Sequence, residues 1–181
     1  MIKNNFFYVK NLKNVVIFGE SKIFKNILDI NKKHNLNTIF ITSKHQSRII
    51  DKKIKYVIFN KIDNKTKKYL KNKVEASKTL FVSMGARYIF KKNDIKNFFM
   101  GNLINFHGTR LPLDAGSGTH SWKIMREDRI DTQLVHVVDS GIDTGSILDF
   151  KSSIYPKNCK IPLDYENYRL EKFKIFYKEI I

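Results

Sequence analysis

Length, composition and charge restrict what this chain can be. Its 181 residues suffice for one well-packed domain, and 42% hydrophobic and 13% aromatic residues indicate a globular core, which excludes a disordered chain. The formal net charge of +17 invites a nucleic-acid partner. However, lysine is frequent almost everywhere, and arginine, which suits bidentate phosphate contacts, is scarce beside it. We therefore regard nucleic-acid binding as the weaker interpretation, and the charge would also attract an anionic small-molecule substrate.

The cellular setting is indicated by cysteine usage and by apolar runs. Cys159 is the only cysteine, so an internal disulfide and a zinc site of paired cysteines are both excluded. Residues 1–10 lack the sustained apolar stretch of a signal peptide. No apolar run approaches the roughly 20 residues that a membrane span needs. We expect a cytoplasmic protein without a membrane span.

The first half of the chain alternates short apolar runs with segments of helical spacing. Five runs rich in β-branched residues predict strands at 14–19, 38–42, 56–59, 79–83 and 102–106. The segments between them predict three helices: one capped by Ser21 that ends near His34, one from a cap at Asp63 or Asn64 to about Lys73, and a short one from Asn93.

This alternation predicts an α/β fold with a doubly wound, mostly parallel sheet and helices on both faces. In such sheets ligands bind beyond the carboxyl ends of the strands. The turn at Gly19 is not part of a Gly-x-Gly-x-x-Gly or a P-loop pattern, so neither a dinucleotide nor a P-loop nucleotide is expected there.

The second half continues with a glycine-containing loop at 113–120 and further regular elements. The pattern predicts a helix at 121–127, a strand at 133–138, a tight loop at 139–145 and another strand at 146–150. Pro162 precedes a helix at about 163–180 with an apolar face. We expect one domain over residues 1–181, with no additional C-terminal domain.

A cluster of polar residues follows the fifth predicted strand. Asn105-x-His107, Leu111-Pro112, Gly116 and Asp143-Thr-Gly145 form a pattern that resembles the folate-dependent formyltransferases. That family includes glycinamide ribonucleotide transformylase, methionyl-tRNA formyltransferase and the sugar N-formyltransferases. The separation of His107 and Asp143 (143 − 107 = 36) needs no gap against the family pattern, and the motif covers about residues 102–150. Taken singly, each of these side chains is more typical of a hydrogen-bonded turn than of a catalyst.

The resemblance implies transfer of a formyl group from the co-substrate 10-formyltetrahydrofolate to a primary amine, without a metal. It implies that Asn105 donates to the developing oxyanion, that His107 stabilises this charge and takes part in proton transfer, and that Asp143 holds His107 and a bridging water. We expect the Asp143 carboxylate to raise the pKa of His107 and to favour imidazolium. A metal site built from His107, His120 and His136 with an aspartate is disfavoured, because their spacing matches no helical metal motif.

The resemblance also implies binding residues. The folate is expected against two loops that contribute Arg87, Tyr88, Ile89, Phe90, Val138, Asp139 and Gly141. The acceptor amine is expected near Thr109, Arg110, Gly116 and His120. Arg110 stands where the family usually has an apolar residue, and either it binds an anionic group of the acceptor or it faces solvent.

Two features of other family members are missing from this sequence, and their absence narrows the choice of acceptor amine. The tRNA-modifying members carry a further C-terminal domain, and the purine-pathway members carry a Gly-rich phosphate loop where this chain has Gly19-Glu-Ser-Lys22. Both absences favour an amino sugar on a nucleotide carrier, used for surface polysaccharide synthesis. The alternatives are formylation of glycinamide ribonucleotide or methionyl-tRNA, and a non-catalytic basic binding protein on the same fold. A homodimer is possible.

Overall fold

The computed structural model describes residues 7–19, 22–51, 53–114 and 119–181. Within these ranges seven strands form one mixed sheet in the order β3-β2-β1-β4-β5-β6-β7. The strands are β1 Asn14–Gly19, β2 Asn37–Thr42, β3 Val57–Ile58, β4 Thr79–Met84, β5 Leu103–His107, β6 Ile130–Val137 and β7 Ile147–Ile154. The helices are α1 Phe24–Lys33, α2 Asn64–Lys71, α3 Lys92–Asn97, α4 Thr119–Met125 and α5 Pro162–Ile180.

The first five strands are parallel, as the alternation of apolar runs and helices predicts. β1 lies between β2 and β4, and its residues from Val15 to Gly19 are all buried. Both faces of such a strand are covered, which is why the side chains from Val15 to Phe18 are all apolar. β3 is shorter than predicted, because only two of its residues pair with β2 at the edge of the sheet.

The direction of the last two strands was not predicted. β6 runs antiparallel to β5, and β7 runs antiparallel to β6 as the second strand of a hairpin. Both strands are longer than the sequence pattern suggests. Because paired residues of antiparallel strands stand directly opposite one another, this reversal brings side chains of β6 beside those at the end of β5.

Two apolar clusters cover the two faces of the sheet, which confirms the predicted layers. Val15 and Ile17 of β1 belong to the cluster that contains the buried residues of α1 and α5. Val16 and Phe18 belong to the other cluster, together with Leu70 of α2. The alternation along one strand therefore separates the two helical layers.

Local hydrogen bonds fix the ends and the packing of individual helices. Asp63 caps α2, as predicted, because its Oδ1 accepts from the main-chain N–H of Thr66 at 3.0 Å. The predicted cap at Ser21 lies outside the described residues. The hydroxyl of Tyr177 donates to Asn31 at 3.0 Å in a buried contact that joins α5 to α1. No helix in the described ranges is long and apolar enough to cross a membrane.

Candidate active site

A cavity of about 930 Å³ opens at the carboxyl ends of the parallel strands. Its walls come from the loop after β4, the end of β5 with the residues that follow it, the loop after β6, and one side of α5. This is the position at which open α/β sheets bind their ligands. The volume lies in the upper part of the range typical of small-molecule sites, so it is large enough for a co-substrate and an acceptor.

His136 joins β6 to β5 at the centre of this cavity. It stands opposite Asn105 in the antiparallel pair and is only 2% exposed. Its Nδ1 lies 2.8 Å from the carbonyl oxygen of Val137. Since a carbonyl oxygen only accepts, Nδ1 carries a proton, and Nε2 lies 3.0 Å from the amide nitrogen of Asn105, from which it accepts. The His136 ring therefore determines which side-chain atom of Asn105 is the nitrogen.

Asp143 brings a carboxylate to the same group. Its Oδ1 lies 3.5 Å from Nδ2 of Asn105, 3.6 Å from Nε2 of His136 and 3.8 Å from Nδ1 of His107. The two histidine distances exceed a hydrogen bond, so these contacts are electrostatic in this arrangement. The motif residues Asn105, His107 and Asp143 are thus brought together as the resemblance implies.

The protonation of His107 departs from the expectation. Burial lowers the pKa of His107, and although the Asp143 carboxylate acts to raise it, the net pKa lies below its ordinary value. The expectation of a raised pKa is therefore wrong, because desolvation of the half-closed site outweighs the single carboxylate. Nε2 of His107 is buried without a hydrogen-bond partner among the described residues. The main-chain carbonyl of Asp114 also acts to raise the pKa of His107, but burial outweighs it.

The loop that carries Asp143 is braced from within. The carboxylate of Asp139 accepts from the main-chain N–H of Gly141 at 3.0 Å and from the hydroxyl of Thr144 at 2.7 Å. Gly145 closes the loop so tightly that a Cβ there would lie 1.7 Å from the carbonyl oxygen of Val137. Asp143 itself has φ of 54°, in the left-handed region. These constraints hold the carboxylate over β5.

All seven residues predicted to bind the folate line the cavity, namely Arg87, Tyr88, Ile89, Phe90, Val138, Asp139 and Gly141. Their exposure differs. Ile89 is 87% exposed and Ile142, on the facing loop, is 83% exposed, so two apolar side chains stand free at the mouth. Tyr88 is buried, and its hydroxyl donates to the carbonyl of Phe59. The apolar mouth fits a flat aromatic ligand.

The four residues predicted to bind the acceptor have different outcomes. Thr109 and His120 line the cavity. Arg110 is not among the lining residues; its guanidinium pairs with Asp114 at 3.0 Å and with Asp128. Gly116 lies outside the described residues. Arg110 therefore neither stands free in solvent nor lines the cavity, because two carboxylates engage its guanidinium.

Two lining residues were missed or left without a role. His136 was considered in the sequence only as a candidate metal ligand, and its contact with Asn105 depends on strand pairing, which periodicity does not reveal. Arg169 enters the cavity from α5, 62 residues beyond His107 in the chain (169 − 107 = 62). The sequence offered one signal for Arg169: it is an arginine beside the apolar face of the last helix, in a chain where arginine is scarce.

The fold is the one found in formyltransferases. A sugar 3N-formyltransferase, WlaRD, whose structure is described with dTDP and 5-N-formyl-THF, is 22% identical over 93% of this chain and 61% of its own, with a TM-score of 0.67. Glycinamide ribonucleotide transformylase 1 from Geobacillus kaustophilus is 14% identical over 93% of this chain and 96% of its own, with a TM-score of 0.72. No protein-family model matches the chain.

A third solved structure is an N-formyltransferase from Helicobacter canadensis in complex with folinic acid and dTDP-3-aminofucose. It is 19% identical over 93% of this chain and 62% of its own, with a TM-score of 0.69. This chain therefore spans about three fifths of WlaRD and of the Helicobacter protein, and almost the full length of the Geobacillus protein. At these identities the similarity establishes the shared fold.

Proposed function

We propose that this protein is a folate-dependent N-formyltransferase that acts on the amino group of a nucleotide-linked amino sugar. The observation that carries the proposal is the cluster of Asn105, His107, His136 and Asp143, which opens into the cavity at the strand ends. Two solved structures of this fold support it, since they contain a folate together with dTDP or a dTDP-linked amino sugar.

His107 acts as the proton acceptor for the attacking amine. Its lowered pKa favours the neutral ring at pH 7, and Nε2 of that ring has no hydrogen-bond partner among the described residues. The amine nitrogen bonds to the formyl carbon, and His107 takes the proton that the nitrogen loses. Asp143 then stabilises the imidazolium across the short distance to Nδ1. When the bond from the formyl carbon to the folate nitrogen breaks, the same proton passes to that nitrogen.

Asn105 stabilises the negative charge that develops on the formyl oxygen. Its amide has two N–H groups, and His136 holds one of them in a hydrogen bond of 3.0 Å. The other reaches Asp143 over 3.5 Å, which is a weak contact. This second N–H is the one available to the oxyanion, and the hydrogen bond to His136 holds the amide in the orientation that presents it.

The residues around the cavity suit 10-formyltetrahydrofolate as the co-substrate. The loops at 85–90 and 138–143 offer apolar side chains at the mouth and main-chain groups behind them. The bound folate supplies the activated formyl group, and the protein supplies position and charge.

The choice of acceptor rests on sequence features and on the two ligand-bound structures. The turn after β1 lacks the Gly-rich phosphate loop of the purine-pathway members. Glycinamide ribonucleotide remains the main competing acceptor, since the Geobacillus transformylase has the same fold over nearly its full length.

The proposal is tested with 10-formyltetrahydrofolate and a panel of acceptors. The panel contains dTDP- and UDP-linked amino sugars, glycinamide ribonucleotide and methionyl-tRNA. Release of tetrahydrofolate and a mass gain of one CO on a sugar acceptor are expected. Release only with glycinamide ribonucleotide or with the tRNA would reassign the acceptor. No release with any acceptor, combined with salt-dependent binding to RNA, would identify a basic binding protein instead.

Variants assign the roles within the reaction. His107→Ala and Asp143→Asn should each lower kcat at least about 100-fold, since they remove the proton acceptor and its stabilising charge. Asp149→Asn on the exposed face of β7 is the matched control, because it makes the same chemical change outside the cavity. Circular dichroism and thermal unfolding establish that each variant is folded. Unchanged turnover in His107→Ala would refute the mechanism.

A further inference from the structure

Arg169 of α5 lies against the catalytic strand end at a point where only glycine leaves room for it. A Cβ on Gly108 would lie 2.7 Å from Nη1 and 3.3 Å from Cζ of Arg169. Gly108 directly follows His107, and neighbouring Cα atoms are about 3.8 Å apart. The guanidinium therefore lies beside the residue that handles the proton.

This guanidinium is not neutralised by the protein. Among the residues that the structure describes, Arg169 has neither an ion pair nor a side-chain hydrogen bond. Glu166, one turn earlier on α5 and also in the cavity wall, is already paired with Lys22 at 3.1 Å. Arg169 is partly exposed, so water solvates its guanidinium, and its N–H groups are available to an anion that enters the cavity.

His120 adds a second unsatisfied group to the same wall. Both of its ring nitrogens are buried without hydrogen-bond partners in the described structure. Burial, assisted by the charge of Arg169, lowers the pKa of His120 to about 4, so the ring is neutral at pH 7. A neutral imidazole still has one N–H to donate to an anionic oxygen.

We propose that Arg169, with His120, binds a phosphate of the acceptor, namely the diphosphate of the nucleotide-linked sugar. The substrate assignment rests on the proposed function; the anion site itself rests on the contacts above. Arginine suits this role because its planar fork donates two parallel hydrogen bonds to a phosphate. In a nucleotide-linked amino sugar one pyranose ring separates the reacting amine from the phosphate, which matches an anion site immediately beside His107.

The folate also carries an anionic group, the carboxylates of its glutamate. In that molecule the aminobenzoyl group lies between the reacting nitrogen and the glutamate, so the carboxylates lie farther from the formyl carbon. The position of Arg169 next to Gly108 therefore favours the acceptor phosphate. Binding measurements with the two ligands separately distinguish these sources.

The test compares Arg169→Gln with Lys178→Gln. Lys178 is exposed on the same helix and is not in the cavity wall, so both variants lose one positive charge. Calorimetric titration with dTDP, UDP and inorganic pyrophosphate should show an affinity loss of at least about tenfold in Arg169→Gln and none in Lys178→Gln. The affinity for 5-formyltetrahydrofolate should stay unchanged in both.

A second variant tests the geometry without removing the charge. Gly108→Ala would force the guanidinium away from its position, so it should weaken dTDP binding in the same direction. Equal dTDP affinity in Arg169→Gln and the unaltered protein would overturn the proposal. The proposal would also be overturned if the unaltered protein bound none of the three probes. The same holds if Arg169→Gln lost affinity only for 5-formyltetrahydrofolate.

The binding measurements test the anion site separately from the formyl-transfer reaction. If dTDP binding depends on Arg169 but no acceptor releases tetrahydrofolate, the anion site stands and the formyl-transfer proposal fails. If formyl transfer to a nucleotide sugar proceeds and Arg169→Gln leaves its KM unchanged, the transfer stands and the anion site fails.

Discussion

Replacing His136 by asparagine or by glutamine separates the two hydrogen bonds of its ring. The side-chain amide of asparagine reaches the place of Nδ1, so His136→Asn keeps the bond to the carbonyl of Val137 and loses the acceptor for Asn105. Glutamine reaches the place of Nε2, so His136→Gln keeps that acceptor and loses the bond to Val137. Each variant thus retains one of two bonds, of 2.8 Å and 3.0 Å.

The expected magnitudes follow from burial. His136 is 2% exposed, so each lost bond leaves a buried polar group without a partner, which costs about 1–3 kcal/mol. Both variants should therefore lower the free energy of unfolding by a similar amount. Only His136→Asn frees the amide of Asn105, and a loss of about 1–3 kcal/mol at the transition state lowers kcat/KM about 5- to 150-fold.

The assay combines urea unfolding with initial rates of tetrahydrofolate release on the accepted substrate. Similar unfolding free energies together with a clearly lower kcat/KM for His136→Asn than for His136→Gln are expected. If the two variants have equal rates, His136 does not act through Asn105, and its contact with that residue is only structural.

Three further predictions concern a buried ion pair, the loop that carries Asp143, and the effect of pH on stability. Lys123→Met should lower the free energy of unfolding by about 3 kcal/mol in urea titrations, because the fully buried ammonium pairs with Asp128 at 3.4 Å; an unchanged midpoint would contradict this. Gly145→Ala should lower activity more than about tenfold, since its Cβ would lie 1.7 Å from the carbonyl oxygen of Val137; full activity would show that the loop adapts. The pKa of His120 is lowered from 6.5 to about 4 in the native protein, so between these pH values the native protein binds fewer protons than the unfolded chain. The free energy of unfolding should therefore fall as the pH falls through this window. Denaturant unfolding at pH 7 and pH 5 should show a smaller fall in His120→Gln than in the unaltered protein.

The strands and helices could be predicted where local pattern decides them. The apolar run at 79–83 reads as a buried strand from composition alone, and it forms β4 at Thr79–Met84. The cap at Asp63 is likewise a local interaction. The reversal at β6 is a property of pairing between distant segments, and side-chain alternation is the same for either direction.

The candidate site was predictable only to the extent that a sequence motif exists. Asn105, His107 and Asp143 came from a motif, and their approach in the structure agrees with it. Arg110 was uncertain because its partners, Asp114 and Asp128, are acids that sequence spacing does not assign to it. The pKa of His107 was predicted in the wrong direction, because a motif shows the neighbouring carboxylate but not the extent of burial.

β5 is an inner strand, paired with β4 on one side and β6 on the other. Asn105 and His107 therefore stand on main chain whose hydrogen bonds should open least often, whereas much of the cavity wall comes from surface loops with exposed apolar tips. Warming should loosen the hold on ligands before it disturbs the reacting groups. KM would then rise at temperatures where kcat still increases. Substrate binding would therefore weaken at a lower temperature than the chemical step.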